Sequence, residues 1–164
     1  MTTCIAFDPG YDRLGWAVGE VSHGSITKLV AYGAIITNPK ETLHERYTQI
    51  LNELDALMLQ YQPQEAALES LFFATNKKTA LHVSEARGVL ISVLLRQHCL
   101  LFEYTPLQVK QAVTGNGRAE KAAVDRMVRM QLALPPTKIL DDTMDALGVL
   151  LTYATRSHFE KRTA

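Results

Sequence analysis

Three acidic stretches in this chain stand where a fold can hold a carboxylate rigidly. Asp8 closes the apolar run Cys4-Ile5-Ala6-Phe7 and is followed by Pro9-Gly10, so a strand delivers it into a tight turn. Glu69 ends the short run Glu65-Ala66-Ala67-Leu68, a second candidate strand. Asp141-Asp142-Thr143-Met144-Asp145 opens the last helical pattern, and Asp145 can share a helix face with either Asp142, three residues back, or Asp141, four back. Helix arithmetic leaves that choice open. Singly, each acid has an ordinary role as a turn former, a strand end or a helix N-cap. Converging as a set, they repel one another unless divalent cations sit between them. Ligands that are all oxygen suit Mg²⁺ or Mn²⁺, and two such ions about 4 Å apart can activate a water and stabilise the leaving oxygen of a phosphodiester. Phosphoryl chemistry is the use to which these residues point.

Positioning them requires a sheet. Thr3 to Asp8 reads as its first strand, Leu14 to Val21 as the second and Ile26 to Ile36 as the third, with Ser22-His23-Gly24-Ser25 supplying the turn of an antiparallel meander. Leu43, Tyr47, Ile50, Leu51, Leu54, Leu57 and Met58 then recur at helical spacing, which predicts an amphipathic helix over Thr42 to Leu59, broken by Pro63. Glu65 to Glu69 is the fourth strand. A right-handed crossover returns it parallel to an earlier strand and brings Glu69 beside Asp8.

Leu71 to Lys78 reads as a loop and Thr79 to Gln97 as a helix. Its second half, Val89, Leu90, Ile91, Val93, Leu94 and Leu95, reads as apolar almost all round and so asks for a partner on two sides, the sheet and a second subunit. Cys99 to Tyr104 is the fifth strand. Pro106 opens a short helix that stops near Gly115-Asn116-Gly117, Arg118 to Leu132 forms another that Pro135-Pro136 terminates, and the last runs from Asp141 through Tyr153. Residues 156–164 read as a polar tail with a frayed end.

With 164 residues and no linker, repeat or low-complexity tract, the chain reads as one domain over residues 1–155. Cys4 and Cys99 sit in apolar runs and read as buried thiols, which fits a reducing compartment. The longest apolar run, Val89 to Leu95, is too short to cross a bilayer, and a cytoplasmic location is expected. Seventeen basic and 17 acidic residues cancel, yet Lys77, Lys78 and Arg87 cluster, as do Lys110, Arg118, Lys121, Arg126 and Arg129, leaving room for a basic face.

Taken in order, Ala6-Phe7-Asp8-Pro9-Gly10 with Gly15, Glu69-Ser70-Leu71-Phe72, Ala86-Arg87-Gly88, Pro106-Leu107-Gln108-Val109-Lys110-Gln111, Gly115-Asn116-Gly117-Arg118-Ala119-Glu120-Lys121 and Asp142-Thr143-Met144-Asp145-Ala146-Leu147 resemble the RuvC family of Holliday-junction resolvases. The resemblance spans nearly the whole chain. It implies an α/β fold of the RNase H-like type, a mixed five-stranded sheet with helices on both faces. It also implies that Asp8, Glu69, Asp142 and Asp145 bind two Mg²⁺ ions per subunit, with Mn²⁺ as the alternative, and that Asp141 is the helix cap. Lys110 and Lys121 match lysines that the family places near the scissile phosphate, where an ammonium offsets developing charge. Phe72 matches an aromatic residue held to stack on an unpaired base; Phe73 beside it is this chain's variation. Lys77, Lys78, Arg87 and Arg118 are further candidates for backbone contacts.

The implied function is a structure-selective endonuclease that resolves four-way DNA junctions in recombination and repair, as a homodimer making paired symmetric nicks. Branch-migration helicase proteins are candidate partners. Three rivals compete with it. A nuclease of the same fold acting on ribosomal RNA precursors also begins with Asp-x-Gly, but Phe72, Lys110 and Lys121 speak against it. A non-catalytic junction-binding protein is disfavoured by four intact acids, and an actin-like nucleotide-binding domain lacks the length for a second lobe.

Overall fold

The computed structural model describes residues 1–70 and 77–163. Its ten elements are β1 (Thr2–Asp8), β2 (Arg13–Ser22), β3 (Ser25–Ile36), α1 (Leu43–Tyr61), β4 (Glu65–Glu69), α2 (Lys77–Arg96), β5 (Leu100–Tyr104), α3 (Pro106–Thr114), α4 (Lys121–Gln131) and α5 (Asp141–Thr163). The strands form one sheet in the order β3-β2-β1-β4-β5. β1, β2 and β3 pair antiparallel, whereas β1, β4 and β5 pair parallel. The meander and the crossover are therefore as expected from sequence.

Local chemistry accounts for the element ends. His23 and Gly24 both take positive φ, 50° and 80°, the backbone that a two-residue hairpin loop requires between Ser22 and Ser25. Thr42 caps α1 in a reciprocal box with Glu45, and Thr105 does the same for α3 with Gln108, ahead of Pro106 in the first turn. Gly115 stops α3 in the left-handed conformation.

β1 is the central strand, and Cys4 to Phe7 are wholly buried because both faces of the sheet are covered. Ile5 and Phe7 face one layer, where Ile50 and Leu54 of α1 meet Leu90, Val93 and Leu94 of α2. Cys4 and Ala6 face the other, packed with Leu147 and Leu150 of α5, Val109 of α3 and Val128 of α4. The cysteines are buried, free thiols. On the α5 side, β2 presents Gly15, Ala17 and Gly19 at alternate positions, a trough of small residues under the helix. A Cβ at Gly19 would stand 3.0 Å from Leu150 Cδ2. At the far end of the sheet from Asp8, the Tyr153 hydroxyl of α5 donates to the buried Glu65 carboxylate at the start of β4.

Three expectations change. α2 is not apolar all round: Leu90, Val93 and Leu94 are buried, but Leu81, Glu85, Gly88, Ser92 and Leu95 form an exposed stripe at alternating spacings of four and three. α4 starts at Lys121 rather than Arg118, because Asn116 holds the preceding turn by accepting from the Arg118 amide. α5 continues to Thr163 rather than ending at Tyr153, since nothing from Ala154 to Thr163 is Pro or Gly and no stop signal interrupts it.

Candidate active site

Strand register brings the first two acids together. β1 and β4 run parallel with Phe7 opposite Leu68, so one further step along both strands sets Asp8 beside Glu69 at the same end of the sheet. α5 reaches that end over β2. Gly15, the β2 partner of Asp8, lies so close under the first turn of α5 that a Cβ there would stand 1.8 Å from the Asp142 carbonyl oxygen. Only glycine lets the helix that carries Asp142 and Asp145 settle against the strand opposite Asp8.

The electrostatics register this convergence. Burial, then the charges of Glu69, Asp145 and Asp142, push the Asp8 carboxyl up from 3.8 to about 8, against the opposing pull of Lys121. Burial and Asp145 push Glu69 from 4.5 to about 7, with Lys121 and Lys110 pulling the other way. Asp145 is also raised, chiefly by burial, with Lys121 opposing. Lys121 donates to Asp145 at 3.2 Å and lies 3.5 Å from Asp141. Partial burial lowers the ammonium's pKa, but those two aspartates outweigh it and hold the group above its ordinary value.

The donor set is all carboxylate oxygen, which fits a hard divalent cation. Among the described residues, however, no three acidic, His or Cys side chains stand as a ready-made cage. Lys121 holds Asp145, and Arg13 stands 3.5 Å from Asp142, so ammonium and guanidinium groups meet the helix carboxylates instead.

The positions of the remaining candidates differ. A family model described as crossover junction endodeoxyribonuclease RuvC matches residues 4–153. The chain belongs to the RuvC family. It is 43% identical over 144 residues to the RuvC of Petrotoga mobilis, covering 88% of each chain, and 42% identical over 156 residues to that of Alkaliphilus metalliredigens, covering 95% of this chain and 94% of the relative. A solved structure of Thermus thermophilus RuvC in complex with Holliday junction substrate superposes with a TM-score of 0.90 at 28% identity, over 98% of this chain and 97% of that one. The mixed five-stranded sheet is the RNase H-like fold of that family.

In this RuvC-family chain Lys110 is part-buried on α3, within electrostatic reach of Glu69, and Arg118 is exposed in the turn before α4. Arg87 lies on the α2 face, engaged with Glu103 of β5 at 2.7 Å. Lys77 and Lys78 fall in the first turn of α2. Phe72 and Phe73 lie outside the described residues. Asp141 is not the helix cap: the Leu140 carbonyl accepts the first helical hydrogen bond, and Asp141 sits inside the first turn facing Lys121. Sequence reasoning also passed over Arg13, although a cation at the start of the strand that returns from the Asp8 turn was a usable signal.

Proposed function

We propose that this chain is a divalent-metal-dependent endodeoxyribonuclease that resolves four-way DNA junctions, with Asp8, Glu69, Asp142 and Asp145 as its metal ligands. The observation that carries the reading is the meeting of these acids at one end of the sheet, where burial and mutual repulsion raise Asp8 and Glu69 far above ordinary carboxylates. A bound divalent cation would relieve that repulsion and let the acids ionise together. Two Mg²⁺ ions, or Mn²⁺ in their place, would supply an activated water and stabilise the leaving oxygen.

The chain's own residues supply the rest. Asp8 and Glu69, fixed on paired strands, form the rigid half of the ligand set, and Asp142 and Asp145 on α5 form the other. Lys121 and Lys110 stand on the α4 and α3 side, where ammonium groups neutralise a bound phosphate and the charge that develops on it. The nick leaves a 5′-phosphate and a ligatable 3′-hydroxyl. At least one of Phe72 and Phe73 stacks on an unpaired base at the crossover, an interaction worth about 1–3 kcal/mol and tolerant of sequence. Lys77, Lys78, Arg87 and Arg118 flank that contact along the backbone.

The working unit is a homodimer joined along α2, and each site cuts one of two like strands. Support comes from the exposed stripe on that helix, where Gly88 has open space above it and Leu81 and Leu95 are 58% and 56% exposed. A bare glycine between leucines lets two helices approach closely. Residues 1–155 form the nuclease domain. The enzyme acts in the cytoplasm, where branch-migration helicase proteins deliver junctions; no helix among the described residues is long and apolar enough to cross a membrane.

The test is cleavage with Mg²⁺ of a synthetic four-way junction beside a linear duplex of the same sequence. Symmetric nicking of the junction with the duplex spared is expected. Equal rates on both would sink the resolvase reading and leave a general nuclease.

A further inference from the structure

We propose that Arg13 is a DNA backbone-phosphate contact, parked on Asp142 until a divalent cation claims that carboxylate. The inference rests on the reading just given, a metal-loaded site that takes junction DNA, and adds to it a residue and a switch.

Two features of Arg13 point this way. The first is its mount. Arg13 begins β2 immediately after the turn that leaves Asp8, and the backbone there is held from several directions. The buried Arg46 of α1 donates to the Tyr11 carbonyl at 3.2 Å and to the Asp12 carboxylate, and its guanidinium lies over the Tyr11 ring. The Thr37 amide donates to the Asp12 carbonyl at 3.0 Å, and Gly10 lies so close that a Cβ would stand 2.0 Å from the Arg13 carbonyl oxygen. The backbone is therefore fixed, yet the Arg13 side chain is 52% exposed at the mouth of the acid cluster.

The second is charge exchange. Four carboxylates face Lys121 on one flank and Arg13 on the other, with Lys110 within electrostatic reach of Glu69. The Arg13 pair is long, at 3.5 Å, and open to solvent, so little free energy opposes its release. Once divalent ions compensate the acids, Arg13 and Lys121 are surplus positive charge at the rim. A planar guanidinium with its donors free is suited to a phosphodiester, which it can bind with two parallel hydrogen bonds.

The experiment measures binding of a fluorescently labelled four-way junction by anisotropy across a KCl series, in EDTA and in Ca²⁺, an oxygen-seeking stand-in for Mg²⁺. In Ca²⁺, Arg13→Gln should bind about 5–10-fold more weakly, and its log-affinity against log-salt slope should be shallower by about 0.9, the loss of one phosphate contact. In EDTA the variant and the wild type should agree within about twofold. Arg13→Lys should restore most of the slope. For the protein alone, a Ca²⁺ titration followed by thermal shift should show Arg13→Gln binding the ion roughly two- to fivefold more tightly, because Asp142 no longer has to exchange partners. Identical slopes in Ca²⁺, or the same deficit with and without Ca²⁺, would overturn the inference while wild-type junction nicking left the parent reading standing. A wild type that neither binds nor nicks the junction would overturn both.

Discussion

Replacing Asp8 by Asn should make the metal-free protein more stable while removing its chemistry. In the unfolded chain this carboxyl ionises near 3.8, but in the fold only at about 8, because burial and then Glu69, Asp145 and Asp142 oppose its charge. The charged form is disfavoured by folding, so stability falls as pH rises from about 4 and levels off above about 8. At about 1.36 kcal/mol for each pH unit, a rise of roughly 4 units caps the penalty near 5 kcal/mol. An amide carries no charge and escapes it. Urea unfolding in EDTA at pH 4.5 and pH 8 is the assay. Asp8→Asn should match the wild type within about 1 kcal/mol at the lower pH and exceed it by about 2–5 kcal/mol at the higher, an increase of very roughly 5–15 °C in melting temperature. Saturating Mg²⁺ should narrow or reverse the gap, since a ligand at a hundred times its Kd adds about 2.7 kcal/mol to the protein that binds it. A variant no more stable than wild type at pH 8 without metal would refute the claim that burial and the neighbouring acids together oppose the Asp8 charge.

Gly15→Ala should reduce junction cleavage more than about 100-fold while DNA binding persists, because the new methyl displaces the backbone at Asp142 and a misplacement near 1 Å is enough for such a loss; normal nicking rates would show that α5 can retreat without penalty. Arg46→Leu should destabilise the fold by about 1–3 kcal/mol in urea unfolding, since it removes the donors to the Thr37 hydroxyl and the Tyr11 carbonyl, while the exposed Asp12 carboxylate is taken up by water. Leu95→Asp combined with Gly88→Arg should shift sizing at micromolar concentration from dimer to monomer, and an unchanged profile would move the interface off α2.

Much of the fold was legible because it depends on signals close in sequence. Alternation and the His23-Gly24 turn marked the meander, Thr42 and Pro106 marked helix starts, and the single crossover set Glu69 beside Asp8. The acids on α5 needed more: spacing alone left Asp141 and Asp142 equivalent, and only the ordered resemblance chose between them. What stayed hidden was decided between elements. That Asp141 faces Lys121, that Arg13 meets Asp142 and that Gly15 lies under a helix backbone are contacts across at least 20 residues of chain, with no periodicity to announce them. The outer face of α2 was misjudged for a related reason. Six apolar residues in seven positions look alike in sequence, but packing against α1 and the sheet buries the inner ones and leaves Gly88, Ser92 and Leu95 outside.

The buried pair of Tyr153 and Glu65 bears on the site from its far side. From Glu65 to Glu69 is four strand steps, about 13 Å. From Tyr153 back to Asp145 is eight helix steps, about 12 Å. Strand and helix thus form two sides of a quadrilateral of nearly equal lengths, closed at one end by the Tyr153 hydroxyl on Glu65 and at the other by Glu69 facing Asp145 across the acidic end of the sheet. Fixing the remote corner sets the screw position of α5, and with it the gap between two acids that never touch that corner. Any change at Tyr153 that turns or slides the helix would be felt as a change of gauge at the site, with every site residue intact.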